Sequence, residues 1–152
     1  MGVLLVVDSE GKLAESVAGA FAGKGGFHTI IERRSGRGAL SALQEGIGFD
    51  LAVIDDRLAD MDGMELLIAL RALAPGLPVI MTSEQPSVET YLKVVSHGAF
   101  EYVARPVSSS DLRRIMTAAI EEAALVRHHP AELHRKNVAG QQKLAASSDG
   151  SP

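Results

Sequence analysis

The chain has 152 residues, enough for one domain with a buried core, and 46% of them are hydrophobic against 22% charged. It contains no cysteine, which excludes a disulfide framework and a thiolate metal site and favours a cytoplasmic location. No apolar run approaches the roughly 20 residues needed to span a bilayer, so we expect neither a membrane partner nor a secretion signal. The formal net charge is −4, with no basic block in the first hundred residues, so we expect no direct binding of nucleic acid.

Strand-like and helix-like segments alternate along the chain. The run VLLVV at 3–7 is apolar and β-branched, as expected for a strand that is covered on both faces. The first predicted segments are a strand at Val3–Val7, a helix with Leu13, Val17, Ala20 and Phe21 that ends in the glycines of AGKGG, a strand at Phe27–Ile31, a helix with Ala39, Leu40 and Leu43, and a strand at Leu51–Ile54.

The same alternation continues to residue 126. The later predicted segments are a helix with Met64, Leu67 and Ile68, a strand at Leu77–Thr82, a helix over Val88–Val95, a strand at Glu101–Val103, and a helix that begins at Ser108 with Asp111 in a partial capping box. Five consecutive units of a strand and a helix predict an α/β fold, a doubly wound parallel sheet with helices on both faces.

The composition changes near residue 127. The segment 127–152 has no aromatic residue, few large aliphatic residues and a Ser/Gly/Pro end. Such a segment buries too little apolar surface to offset its loss of conformational entropy. We therefore predict one domain at 1–126, followed by a flexible tail or interdomain linker at 127–152.

Polar side chains follow four of the predicted strands. Asp8 follows the first strand, Asp55 the third, Ser83 the fourth and Arg105 the fifth. Ligands bind outside the carboxyl ends of the strands in an open α/β sheet, so we expect these four residues to converge. Two neighbouring carboxylates raise each other's pKa unless a cation lies between them. The sequence therefore predicts a site for a hard cation with oxygen ligands, and Mg²⁺ is the usual choice beside phosphate.

Four segments carry a resemblance to a known family. They are VLLVVDSE, FDLAVIDDRLADMDGMELL, LPVIMTS and HGAFEYVARP, in this order between residues 3 and 120. Together they resemble the receiver domain of bacterial response regulators. The resemblance implies a flavodoxin-like five-stranded sheet with strand order 2-1-3-4-5. It also implies a signalling module of a two-component phosphorelay, rather than an enzyme, whose partner is a histidine kinase or a phosphotransfer protein.

The resemblance also implies roles for individual residues. Asp55 would accept the phosphoryl group, and the metal ligands would be Asp8, Asp55 and the backbone carbonyl of Arg57. Ser83 and Arg105 would bind the phosphoryl group, Tyr102 would be the aromatic switch residue, and the Arg105–Pro106 peptide bond would be cis. A homodimer would form through the fourth helix, the fifth strand and the fifth helix.

Three positions depart from the family pattern. Ser9 stands where the family has an acid that binds the metal, Arg105 stands where it has lysine, and Ala59 stands where it often has proline. Arginine is a wide planar fork rather than a compact ammonium, so the exchange is not conservative in a tight site. Glu10 replaces the missing acid only if the loop bends, because neighbouring side chains of an extended chain point to opposite sides. By the same alternation, we expect Asp56 to point away from Asp55.

These departures leave alternatives open. We expect weak Mg²⁺ binding, and a receiver-like module that binds partners without phosphorylation is the main alternative. VLLVVDSE and LAVIDD also resemble parts of a haloacid-dehalogenase-like phosphatase. Glu10 and Lys12, however, stand where that family needs aspartate and then threonine or valine, so this alternative is the weaker one.

Overall fold

The computed structural model describes residues 2–21, 27 and 29–128, in which strands and helices alternate. The strands are β1 (Val3–Val7), β2 (Thr29–Arg33), β3 (Leu51–Asp55), β4 (Val79–Ser83) and β5 (Glu101–Ala104). The helices are α1 (Lys12–Ala20), α2 (Gly36–Gln44), α3 (Gly63–Leu73), α4 (Val88–Ser96) and α5 (Ser109–His128). The strands pair in parallel in the order β2-β1-β3-β4-β5, which confirms the predicted flavodoxin-like sheet.

The side chains of the sheet alternate between two helical layers. In β1, Leu4 and Val6 pack with α1 and α5, while Leu5 and Val7 pack with α2, α3 and α4. Successive side chains of a strand point to opposite faces, so a sheet covered on both sides needs apolar residues at every position. This requirement explains the unbroken apolar run at the start of the chain.

Strand β2 lies two residues later than the predicted Phe27–Ile31. Its register is set by pairing with β1, in which Thr29 lies opposite Val3 and Arg33 lies opposite Val7. β2 is an edge strand, and its residues are only partly covered, so charged residues at its end are tolerated. The sequence prediction followed apolar content and therefore misplaced this strand.

The ends of two helices bear on the predictions. The Ser108 hydroxyl accepts a hydrogen bond from the amide of Asp111 at 3.1 Å, which confirms the predicted cap of α5. Helix α1 ends at Ala20, and the glycine stretch predicted to terminate it lies outside the described residues. Helix α5 continues to His128, and the rest of the predicted tail also lies outside them. Within 2–21, 27 and 29–128, no helix is long and apolar enough to cross a membrane.

Candidate functional site

The carboxyl ends of the strands bring four polar residues to one edge of the sheet. Asp8 follows β1, Asp55 ends β3, Ser83 ends β4 and Arg105 follows β5. The sheet hydrogen bonding extends to these residues, because the amide of Arg105 donates to the Ser83 carbonyl at 2.8 Å. Asp8, Asp55 and Ser83 are buried, and the Arg105–Pro106 peptide bond is cis, as predicted.

Asp55 forms an ion pair with Arg105. The Nη2 atom of Arg105 lies 3.0 Å from Oδ2 of Asp55, and the two side chains are only 13% and 9% exposed. Oδ1 of Asp55 and Nε of Arg105 are buried without a hydrogen-bond partner among the described residues. The same guanidinium lies 3.6 Å from Oε1 of Glu84, so it spans two carboxylates. Both contacts are made by Nη2, so one end of the planar guanidinium lies between the two acids.

The surroundings of Asp55 favour its protonated form. Burial raises the pKa of Asp55 to about 6 against the lowering effect of Arg105, and Asp56 and Asp8 raise it further. Asp56 is half-buried and lies near enough to Asp55 to raise the pKa of its carboxyl.

Both carboxylate oxygens of Asp8 are bound to backbone amides of the β1–α1 loop and the first turn of α1. Oδ1 accepts from the amide of Glu10 at 3.2 Å, and Oδ2 accepts from the amide of Leu13 at 2.8 Å. Helix α1 begins after Gly11, which has no side chain to cap it. Asp8 therefore supplies an acceptor to the otherwise unpaired amides at the start of this helix.

The two residues after Asp8, Ser9 and Glu10, contact partners other than Asp55. The Ser9 hydroxyl donates to the Arg34 carbonyl at 3.2 Å and accepts from the amide of Ala59 at 3.0 Å. Glu10 forms an ion pair with Lys12 at 3.2 Å, in which the side chains are 61% and 70% exposed. Glu10 also raises the pKa of Lys12 through this hydrogen bond and its charge.

Ser83, Tyr102 and Arg57 occupy different parts of the site. The buried Ser83 hydroxyl accepts from the amide of Gln85 at 3.1 Å. Tyr102 is buried in the layer beneath α4, 6.3 Å from Tyr91 between ring centroids, and its hydroxyl has no partner within the described ranges. The Arg57 side chain donates to Oε1 of Gln85 at 2.9 Å and so connects the loops after β3 and β4.

Helix α3 begins against the backbone of Asp55. A Cβ atom at Gly63 would lie 2.5 Å from the Asp55 carbonyl oxygen and 2.7 Å from Cα of Asp56. The amide of Gly63 donates to the Asp56 carbonyl at 2.8 Å. Only glycine permits this approach, which turns the chain directly from the end of β3 through its loop into α3.

The comparisons with known proteins agree with this geometry. The family model for the response regulator receiver domain matches residues 4–117, about three quarters of the chain. This chain belongs to the response-regulator receiver family. Receivers of this family act generally in two-component signalling, as modules that are phosphorylated and that bind kinases or phosphotransfer proteins, rather than as enzymes.

Relatives of this receiver include longer regulators. It is 31% identical over 103 residues to the transcriptional regulatory protein ZraR of Escherichia coli O157:H7, a match that covers 68% of this chain and 23% of ZraR. It is 30% identical over 106 residues to the regulatory protein LuxO of Vibrio vulnificus, covering 70% of this chain and 23% of LuxO. The chain thus spans less than a quarter of the length of these two relatives.

Solved receivers share the same fold. A CheY-like receiver domain from Methanospirillum hungatei is 27% identical, with a TM-score of 0.73 over 82% of this chain and 97% of that one. The beryllofluoride-activated NtrC4 receiver domain dimer is 26% identical, with a TM-score of 0.72 over 80% of this chain and 98% of that one.

Receivers generally use Mg²⁺ at the phosphorylation site, and this ion prefers oxygen ligands in octahedral geometry. Among the residues that the structure describes, no three histidine, aspartate or glutamate side chains converge to hold a metal ion. Of the positions that the family pattern assigns to the metal, Asp8 and Asp55 are carboxylates and Ser9 is a neutral residue that already makes two hydrogen bonds. The neighbouring Glu10 is paired with Lys12. The donor set is therefore one carboxylate short of the family pattern.

Two residues of the site were missed by the sequence analysis. Glu84 shares the Arg105 guanidinium with Asp55, and Asp60 accepts from the amides of Gly36 and Arg37 at 2.9 and 3.0 Å. Neither of these two contacts was predicted from the sequence. The only signal for Glu84 in the sequence is its position next to Ser83. No local pattern connects Asp60 with the start of α2, 24 residues away.

Proposed function

We propose that this receiver accepts a phosphoryl group on Asp55 from a histidine kinase, a phosphotransfer protein or a small phosphodonor. The observation that carries the proposal is the Asp55 carboxyl at the end of β3, in which Arg105 holds Oδ2 and Oδ1 has no hydrogen-bond partner among the described residues. Buried polar atoms are nearly always hydrogen-bonded, and carboxyls with a raised pKa beside charged partners are typical of functional sites. The Asp55 carboxylate is the nucleophile in our proposal.

The proposed transfer is a displacement at phosphorus. A carboxylate oxygen of Asp55 forms a bond to phosphorus while the bond between phosphorus and the donor's histidine nitrogen breaks. The electron pair of that bond stays on the imidazole, which takes up a proton, and Asp55 becomes an acyl phosphate. Positioning and neutralisation of the phosphoryl oxygens account for most of the catalysis of such transfers. Arg105 supplies the positive charge, and Ser83, whose oxygen accepts from Gln85, keeps its proton for a phosphoryl oxygen.

We infer that Mg²⁺ binds this site weakly. The metal supplies charge neutralisation when it is bound, and Asp8, Asp55 and the carbonyl of Arg57 would hold it here. Mg²⁺ requires near-ideal octahedral geometry and releases its waters reluctantly, so the loss of one carboxylate ligand weakens its binding. Glu10 does not replace that ligand while it is paired with Lys12 in solvent.

The proposed output surface is formed by α4, β5 and α5. Tyr102 packs beneath α4 and against Tyr91, so a change at Ser83 and the start of α4 would reach this face through the two rings. The similar NtrC4 receiver forms a dimer in its beryllofluoride-activated state. We propose that residues 1–126 form the receiver and that 127–152 connect this surface to an output domain or partner.

A phosphorylation-independent interaction module is the second candidate function. The observation that favours it is the use of Asp8, Ser9 and Glu10 in contacts within the protein, which leaves the metal-binding positions of the family occupied by other bonds. The haloacid-dehalogenase-like alternative gains no support from the family match.

The deciding experiment is incubation of the full chain with acetyl phosphate and increasing Mg²⁺, followed by intact mass measurement. We expect slow gain of one phosphoryl group that rises with Mg²⁺ without early saturation. Asp55→Asn should abolish the gain, and Asp62→Asn, at an exposed position of the same loop, is the matched control that should retain it. No labelling at any Mg²⁺ concentration, including with a phosphorylated histidine donor, would favour the interaction module.

A further inference from the structure

The Ser9 hydroxyl joins three loops at the edge of the sheet. Ser9 lies in the β1–α1 loop, its donated bond ends at Arg34 in the β2–α2 loop, and its accepted bond comes from Ala59 in the β3–α3 loop. A hydroxyl makes both bonds at once because it has one proton and two lone pairs. An ionised carboxylate only accepts, so an acid at this position would face the Arg34 carbonyl without a proton to offer it.

The tip of the β3–α3 loop is held at a second point. The Asp60 carboxylate accepts from the amides of Gly36 and Arg37, the first two residues of α2. Met61 packs so closely against Gly36 that a Cβ atom there would overlap its sulfur. Together with Ser9, these contacts form a brace around the tip of the loop, which we call the loop brace.

The loop brace bears on the phosphorylation site because the same loop begins next to Asp55. Arg57 and Asp62 form an isolated antiparallel bridge across the loop, and Gly63 closes it onto the Asp56 carbonyl at 2.8 Å. The tip and base of the loop are thus parts of one hydrogen-bonded turn. Contacts that fix the tip of the loop therefore also restrain the backbone of Arg57 at its base. This backbone lies next to Asp55.

We propose that Ser9 is a positioning residue, whose hydroxyl holds the β3–α3 loop against Asp55 without a metal ion. The proposal rests on the proposed function of Asp55. In a receiver with an acid at this position, a metal ion connects that acid to the β3–α3 loop. Here one hydroxyl connects the two loops directly, so the serine is an alternative way of ordering the site and not only the loss of a ligand.

The test compares the full chain with Ser9→Ala, which loses both bonds, and with Ser9→Thr, which retains the hydroxyl. In metal-free protein, we expect amide hydrogen exchange at Ala59 to be roughly ten-fold faster in Ser9→Ala, because this amide loses one hydrogen bond. In Ser9→Thr we expect exchange at the rate of the unaltered protein. We expect the maximal rate of Asp55 labelling to fall several-fold in Ser9→Ala, with an unchanged half-saturating donor concentration, and to recover in Ser9→Thr.

The outcomes separate this proposal from the proposed function. Unchanged exchange at Ala59 in Ser9→Ala would overturn the brace, whatever the labelling shows. Altered exchange with unchanged labelling would overturn the positioning role and leave phosphorylation of Asp55 intact. If neither the unaltered chain nor any variant is labelled, the proposed function fails and the positioning role fails with it. Recovery of both measurements in Ser9→Thr would support the proposal.

Discussion

Asp55 is a carboxyl group that the fold holds in an unfavourable place for charge. Its pKa is raised from 3.8 to about 6, chiefly by burial, so between these pH values the folded protein binds more protons than the unfolded chain. Stability therefore falls as the pH rises through this window, and the loss is complete above it. In our proposal the same carboxylate must attack phosphorus, which explains why a buried acid that lowers the stability of the protein stands at this position.

We predict that Asp55→Asn is more stable than the unaltered protein at pH 7.5, by about 1 to 3 kcal/mol, because the amide has no charge to bury. The advantage should shrink below pH 6 and vanish below pH 4. Urea unfolding at several pH values measures it, with Asp62→Asn as a control for the same charge change at an exposed position. An advantage that is independent of pH would show that burial of the Asp55 charge is not its source.

Arg105 lowers the pKa of Asp55 against the effect of burial. We predict that Arg105→Gln shifts the pH dependence of Asp55 labelling upward, because the carboxylate loses the cation 3.0 Å away. Labelling near pH 6 should fall several-fold more than labelling near pH 8. Initial labelling rates across this range measure the shift, and a uniform loss at every pH would count against it.

At the scale of elements, helix α2 is capped by Ser35, whose hydroxyl accepts from the amide of Gly38, and also by a residue of a different loop. Asp60 accepts from two amides at the start of α2, and these bonds lower the pKa of its carboxyl. A lowered pKa means that this stabilisation is present above the unfolded pKa and is lost as the pH falls through the folded value. The Asp60 carboxylate therefore stabilises the folded protein at neutral pH, and this stabilisation is lost at acid pH.

We predict that Asp60→Ala lowers the free energy of unfolding at pH 7 by about 0.5 to 2 kcal/mol, the usual cost of a lost cap. Asp60→Asn retains an acceptor oxygen and should lose less. Chemical denaturation at pH 7 and pH 3 tests both variants, and the difference from the unaltered protein should shrink at pH 3. Equal destabilisation at both pH values would show that the carboxylate is not the capping group.

At the scale of the whole molecule, α4 exposes apolar residues that a partner would cover. Val88 is 77% exposed and Leu92, one turn later, is 39% exposed. We predict that the protein self-associates through α4, β5 and α5 after phosphorylation, and that Leu92→Glu prevents this. Sedimentation with and without acetyl phosphate measures it, and Ile68→Glu on α3, 49% exposed, is the matched control. Equal loss of association in both variants, or no effect of Leu92→Glu, would exclude this surface.

The order of elements and the parallel sheet followed from the sequence, because unbroken apolar strands that alternate with amphipathic helices pack stably in few other ways. The strand order 2-1-3-4-5 was implied by the resemblance to the receiver family. The position of β2 did not, because an edge strand takes its register from its neighbour and not from its own apolar content. The four polar residues at the strand ends were found by the same reasoning, since parallel strands place their carboxyl ends at one edge.

The sequence by itself determined which residues reach the site: Asp8, Asp55, Ser83 and Arg105 follow from strand periodicity alone. Only the tertiary structure decided what they contact there. The pairing of Ser9 with Arg34 and Ala59, and of Arg105 with Glu84, joins residues 21 to 50 positions apart. Such contacts depend on how loops turn after the strands end, where side-chain alternation no longer applies and hydrogen-bond geometry sets the direction of each group.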